Sequence, residues 1–140
     1  GSKRRMISRD ENAHNFLKLP LFTVNKGNFI AKNDSFIAIW DAHPVTPLHA
    51  LLIPQAERKT FFDLDEAEVL AFYDLLGRVK ATITEKDKSV DGFNIGMNCE
   101  GSAGQTVMQC HVHVIPRRKG DMADPRGGVR AVFADKKLYG

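Results

Sequence analysis

Between Met108 and Pro116 the sequence reads MQCHVHVIP. In an extended chain, residues two apart share a face. Gln109, His111 and His113 are therefore expected on one side, and Cys110, Val112 and Val114 on the other. The valines mark a face that packs into a core. The opposite face of a strand ordinarily carries Thr, Lys or Glu, not two histidines. Side chains two apart on one face stand about 7 Å apart at Cβ, close enough for two imidazoles to address one small anion. With an unperturbed pKa of about 6.5, one neutral ring can attack phosphorus while its neighbour donates to developing negative charge. Ahead of this stretch Glu100 to Thr106 reads EGSAGQT, and small residues let backbone N–H groups approach an anion closely. Two other readings stay open on these residues alone. H-x-H on a strand can supply two zinc ligands, with Cys99 or His49 as a third, although Cys110 faces away and structural zinc calls for four tight ligands. Two surface histidines without a role give the same pattern.

These groups need a frame. Gly92 to Cys99 alternates, with Phe93, Ile95, Met97 and Cys99 on one face and Asn94, Gly96 and Asn98 on the other. Together with the EGSAG loop and the histidine strand it reads as an antiparallel hairpin. Ser35–Trp40 and His49–Ile53 are further strands, joined by the rigid segment DAHPVTP. Thr23–Val24 and Asn28–Ala31 are short strands around a Lys26-Gly27 turn, and Asp10–Leu17 is expected as a short first helix. Asp63 and Glu66 have capping-box spacing. Val69, Phe72, Leu76, Val79 and Ile83 follow at intervals of three and four, which predicts one long helix ending near Lys86 and covering a sheet. The fold class is α+β, a mostly antiparallel sheet with a long helix on one face.

The chain has 140 residues, which fits one domain, with Gly1-Ser2 as a cloning remnant and a tail over residues 117–140. Hydrophobic residues make up 43%, enough for a core. No apolar run approaches the roughly 18 residues of a membrane span, and no signal-peptide core precedes the domain. Two cysteines within strands predict free thiols and a cytoplasmic setting. The net charge is +3. The basic excess in the tail suits either a phosphate-bearing ligand or a solvated surface. His43, beside Pro44, is expected in a loop, and His14 on a solvated helix face.

GQTVMQCHVHVIPR resembles the signature of the histidine triad (HIT) superfamily, in which three alternating histidines follow a Gly-Gln-Ser/Thr-Val segment. Gly104, Gln105, Thr106, Val107, His111, His113 and Pro116 fall in register, and WDAHPVTPLHALLIP resembles an upstream segment of the same family. The resemblance implies a five-stranded antiparallel sheet with a short N-terminal helix and one long helix, paired as a homodimer. It implies a nucleotide hydrolase or transferase acting at the α-phosphate of dinucleoside polyphosphates or nucleoside phosphoramidates, with an adenosine-containing substrate. By position, His111 matches the nucleophile that carries the nucleotidyl group, and His113 the histidine that assists the leaving group. His49 matches a fourth histidine and Asp41 the acid that holds the ribose. Asn98, Gly104, Gln105 and Thr106 match ribose, phosphate or leaving-group contacts. Ile39, Trp40 and residues near Phe16 and Leu17 would border the base. No resident cofactor or metal site is implied, although a divalent metal can accompany the substrate. Two cysteines cannot build the zinc finger of DNA-end-processing relatives, so no nucleic-acid partner is expected. The chain departs from the pattern at the first triad position, where it has Gln109. The main-chain carbonyl there can still hold the nucleophile. An alternative reading is a nucleotide-binding module with weak or no turnover.

Overall fold

A computed structural model describes residues 17–139. Strands β1 (Leu17–Leu19) and β2 (Phe22–Val24) form a small antiparallel ribbon. The main sheet has five strands: β3 (Phe29–Lys32), β4 (Phe36–Trp40), β5 (Ala50–Pro54), β6 (Val90–Gly96) and β7 (Val112–Arg118). Their spatial order is β3-β4-β5-β7-β6, and every neighbouring pair is antiparallel. One long helix, α1 (Glu66–Lys86), connects β5 to β6. The α+β class and the five-stranded antiparallel sheet with one long helix are as the sequence predicts.

Alternation explains the layers. Phe36, Ala38, Ala50, Leu52, Val112 and Val114 turn to the helix side and pack on Leu75, Val79 and Ile83 of α1. Ile37, Ile39, Leu51 and Ile53 turn to the other side, where Leu19 and Val24 of the ribbon cover them. The sheet is thus buried on both faces over β4 and β5, which is why these strands read as continuous apolar runs. β7 is an inner strand, with Leu51 opposite His113 on one side and Gly96 opposite it on the other.

Several expectations change in detail. The helix cap is Asp65, not Asp63. The Asp65 carboxylate accepts from the Glu68 N–H at 2.8 Å, and Glu68 reaches back to the Asp65 N–H. Asp63 serves a separate 3-10 turn, Phe61–Asp63, capped by Thr60. Residues 22–24 and 29–32 are strands, but β2 pairs with β1 while β3 enters the main sheet. Leu17 opens β1, and the rest of the expected first helix, with His14 and Phe16, lies outside the described residues. Sheet pairing of the histidine segment starts at Val112. Phe93 and Met97 pack against the helix-side core, whereas Ile95 stays 42% exposed at the sheet edge. The segment after Arg118 is folded, with 3-10 turns at Gly128–Val132 and Ala134–Lys136. Both cysteines are free, and burial pushes the Cys110 thiol up to about 12, which makes it inert at neutral pH.

Candidate active site

Four elements bring the site together. β7 supplies His113, and the extended residues before it supply His111. The entry to β5 supplies His49, and the end of β4 leads into Asp41. The His111 and His113 rings lie 5.4 Å apart between centroids, and His113 lies 5.1 Å from His49. Phe22 of the ribbon meets His111 edge-on at 5.2 Å.

Hydrogen bonds to fixed partners assign the protons. A carbonyl only accepts, so the 2.8 Å contact between His111 Nδ1 and the Gln109 carbonyl puts a proton on Nδ1. His111 Nε2 is left with its lone pair. The Val45 N–H donates to His49 Nδ1 at 3.1 Å, so the His49 proton sits on Nε2. That nitrogen lies 2.9 Å from His113 Nδ1 and 3.4 Å from Asp41 Oδ2. His113 Nδ1 therefore accepts, and its own proton sits on Nε2. The two neighbouring rings thus present opposite faces of imidazole chemistry: a lone pair on His111 Nε2 and a donor on His113 Nε2. Burial lowers the pKa of His49, against the pull of Asp41. Burial, then His49 and His111, lowers that of His113. Both rings are held neutral, as this arrangement requires.

His111, His113 and Asp41 line a cavity of about 480 Å³ together with Phe22, Ile39 and Trp40, a size that suits a small ligand. Ile39, Trp40 and Asp41 thus share one cavity with the histidine pair. His113 also borders a second cavity of about 460 Å³, which Asn98, Asn94 and Ile115 share. His49 is only 2% exposed and stands behind His113. Gly104 and Thr106 are exposed on the loop ahead of His111. Gly104 has φ +95°, a conformation that side chains disfavour.

Two glutamines depart from expectation. Gln109 does not share an open face with the histidines. Its side chain is 1% exposed, donates to the carbonyls of Pro54 and Ala56 at 3.0 and 2.8 Å, and accepts from the Arg58 N–H at 3.1 Å. A primary amide has the two donors and one acceptor that these three groups of a crossing loop need. Gln105 likewise turns inward, donating to the carbonyls of Lys59 and Val107 and accepting from the Glu100 N–H. It shapes the loop and is buried away from both cavities. His43 is an exposed loop residue, and its N–H donates to Asp41 Oδ1 at 2.8 Å.

Asp41, His49 and His113 place three ligand-type atoms within 4.8 Å of one another. The Val45 N–H opposes a metal there. A neutral His49 bound to a cation through Nε2 would carry its proton on Nδ1, facing another donor. The residues that sequence reading missed are Phe22 of β2 and Asn25 and Asn28 of the turn from β2 to β3, which wall the first cavity, and Val45, which acts through its backbone. Only the packing of the ribbon on the sheet brings the first three to the site, and no local pattern announces it.

The chain is similar to known proteins over most of its length. Residues 23–120 match the family model described as HIT domain. An AP-4-A phosphorylase of Mycobacterium tuberculosis is 31% identical over 124 residues, covering 82% of this chain and 62% of that protein. A bis(5'-nucleosyl)-tetraphosphatase of Schizosaccharomyces pombe is 38% identical over 81 residues, covering 58% of this chain and 44% of that protein. The chain therefore spans less than two thirds of the length of these relatives. Among solved structures, a zinc-bound histidine triad family protein from Mycobacterium smegmatis superposes with TM-score 0.61 at 31% identity, covering 76% of this chain and 84% of the other. The Caenorhabditis elegans NitFhit protein superposes with TM-score 0.69 at 26% identity, covering 84% of this chain and 28% of the other. With a family model spanning most of its length and the histidine pair in the matched region, this chain belongs to the HIT domain family.

Proposed function

We propose that the protein is a nucleotide hydrolase or transferase that works at an α-phosphate through a covalent intermediate on His111. The observation that carries this reading is the hold of the Gln109 carbonyl on His111 Nδ1, which leaves the Nε2 lone pair beside the Nε2–H of His113. His111 Nε2 attacks phosphorus and the bond to the leaving group breaks. His113 Nε2–H gives its proton to the departing atom and is left with a lone pair. Water then enters, His113 takes one of its protons, and the new P–O bond releases His111 and a nucleoside monophosphate. With another acceptor in place of water, the same steps make a transferase.

The cavity shared with Ile39, Trp40 and Asp41 suits the nucleoside, with Asp41 toward the ribose, and the second cavity beside His113 and Asn98 gives the leaving group room. The names of the relatives, a phosphorylase of AP-4-A and a tetraphosphatase, support dinucleoside polyphosphates as one substrate class. Nucleoside phosphoramidates are the other, and no metal is required by these steps. A homodimer and a cytoplasmic setting belong to the same proposal. Among the described residues, no helix is long and apolar enough to cross a membrane.

Diadenosine polyphosphates and an adenosine phosphoramidate, each incubated with the protein and quenched early, should give a mass-shifted peptide containing His111. His111→Ala should lose both the adduct and turnover, a drop of at least about 10⁴-fold for a nucleophile acting in a unit. Wild-type rates from His111→Ala overturn the mechanism. Binding of these nucleotides without turnover by the wild-type protein leaves the binding-module reading in its place.

A further inference from the structure

We infer that Arg118 is a positioning residue that sets which nitrogen of His113 carries the proton, acting through the 43–48 loop and His49. This inference rests on the role proposed above for His113 as donor to the leaving group. The His49–His113 pair has two self-consistent neutral registers. In the observed one, His49 Nε2–H donates to His113 Nδ1, and His113 keeps its proton on Nε2 toward the substrate. In the other, both protons shift to Nδ1, His113 donates back to His49, and His113 Nε2 is a bare lone pair that cannot protonate a leaving group. Asp41 Oδ2 lies 3.4 Å from His49 Nε2 and 3.9 Å from His113 Nδ1, so its charge faces a proton on either nitrogen and separates the registers only by that small difference in distance. The Val45 N–H does choose, because it meets His49 Nδ1 at 3.1 Å and a second proton there would face it. With His49 only 2% exposed, water is a poor substitute partner.

The position of Val45 depends in turn on a loop that is not relaxed. Leu48, directly before His49, has φ +69°, a costly backbone conformation for a branched side chain that persists only when its surroundings impose it. Arg118 supplies that constraint. It donates from Nη2 to the Pro47 carbonyl at 2.9 Å and from Nη1 to Thr46 Oγ1 at 3.0 Å. Its Nε donates to Asp87 Oδ2, at the end of α1, at 2.9 Å. The guanidinium is planar and rigid, so three fixed partners define its place and therefore that of the loop. The Val45 side chain is exposed, so only the backbone of Val45 takes part.

The test reads tautomers directly. In ¹⁵N-histidine-labelled wild-type protein, His49 and His113 should each show a protonated Nε2 and an unprotonated Nδ1, and His111 the reverse. Arg118→Met, and independently Val45→Pro, which deletes the N–H, should move His49 and His113 together toward the Nδ1–H form and leave His111 unchanged. Val45→Pro is measured against Val45→Ala, which keeps the amide. Steady-state rates on an adenosine phosphoramidate should fall about 10–100-fold in kcat, part of the range of acid–base assistance, with KM within about threefold because no group touching the nucleotide has changed. Arg118→Lys, which retains a cation able to reach one loop partner, should recover part of the loss. Unchanged tautomers in folded Arg118→Met and Val45→Pro proteins overturn the inference, as does a loss confined to KM. Shifted tautomers in a protein with no turnover on any substrate leave the register assignment standing and overturn the proposed chemistry instead.

Discussion

At the scale of the residue, the main lesson concerns Gln109, whose two ends do different jobs. Its carbonyl orients His111, and any residue at that position could supply it. Its amide is a structural tie that serves two carbonyls and one N–H of the 54–58 loop. Alternation along MQCHVHV was enough to find the histidine pair, because strand periodicity is a local property. It could not find the fate of the Gln109 side chain, which depends on a loop more than fifty residues upstream. A separation of 46 residues likewise hides the inward turn of Gln105 onto Lys59. Removing the amide should leave buried backbone groups unpaired, at a cost of about 1–3 kcal/mol for each group left unsatisfied. Gln109→Ala is therefore expected to melt well below the wild type while keeping the His111 tautomer, since the carbonyl remains. Gln109→His should fall between the two, because two ring nitrogens cannot satisfy three partners in the neutral form. Thermal melts of the three proteins check this order. A Gln109→Ala protein as stable as the wild type would mean that water or loop movement replaces all three bonds.

At the scale of the element, the long helix and its inward face were legible, but not its cap or the centre of its buried stripe. Asp63–Glu66 and Asp65–Glu68 both have capping-box spacing, and a local rule cannot rank them. The tertiary structure does so by giving Thr60 and Asp63 a turn of their own. The buried stripe centres on Leu75, Val79 and Ile83, each fully buried, with Phe72 and Leu76 at its flanks, whereas Val69 is only half-buried. The centring of the stripe on Leu75 has a measurable consequence. Leu75→Ala removes a fully enclosed side chain against β4 and β5 and should cost about 2–5 kcal/mol. Val69→Ala, part of the stripe that the sequence alone suggests, should cost less than half as much. Urea midpoints for the two variants show where the stripe is centred, and an equal or larger loss at Val69 would contradict the observed packing. The strands fared better because their apolar runs are continuous, and continuity marks burial on both faces without needing a phase.

At the scale of the whole molecule, the site exists because two covers meet over one sheet. Helix α1 closes one face, the β1–β2 ribbon closes much of the other, and the histidines lie where the second cover stops. The ribbon was the least legible part of the fold, since three-residue strands carry almost no periodicity and their pairing partner is set by tertiary packing. Enclosure has a thermodynamic signature. Burial holds His49 and His113 below their ordinary pKa of 6.5, with Asp41 alone pulling upward and the other histidines pushing His113 further down. Above pH 6.5 these rings are largely neutral in both folded and unfolded chains, and their effect on stability is constant. As the pH falls below 6.5 the unfolded chain takes up protons that the folded chain refuses, so the unfolded state gains and stability drops. The decline from this pair ends once the pH passes below the lowered folded values. It is separate from the acid limb of Asp87, Asp121 and Asp124, which hydrogen bonds from neighbouring residues hold at about 2 and which lose their contribution only as the pH falls from 3.8 toward that value. Melting temperatures of the wild type should therefore fall between pH 7.5 and 5.5, and a His49→Gln/His113→Gln double variant should fall less over the same interval, whatever its absolute stability. Parallel curves for the two proteins would show that the pair titrates alike in both states, and the enclosure argument would then fail.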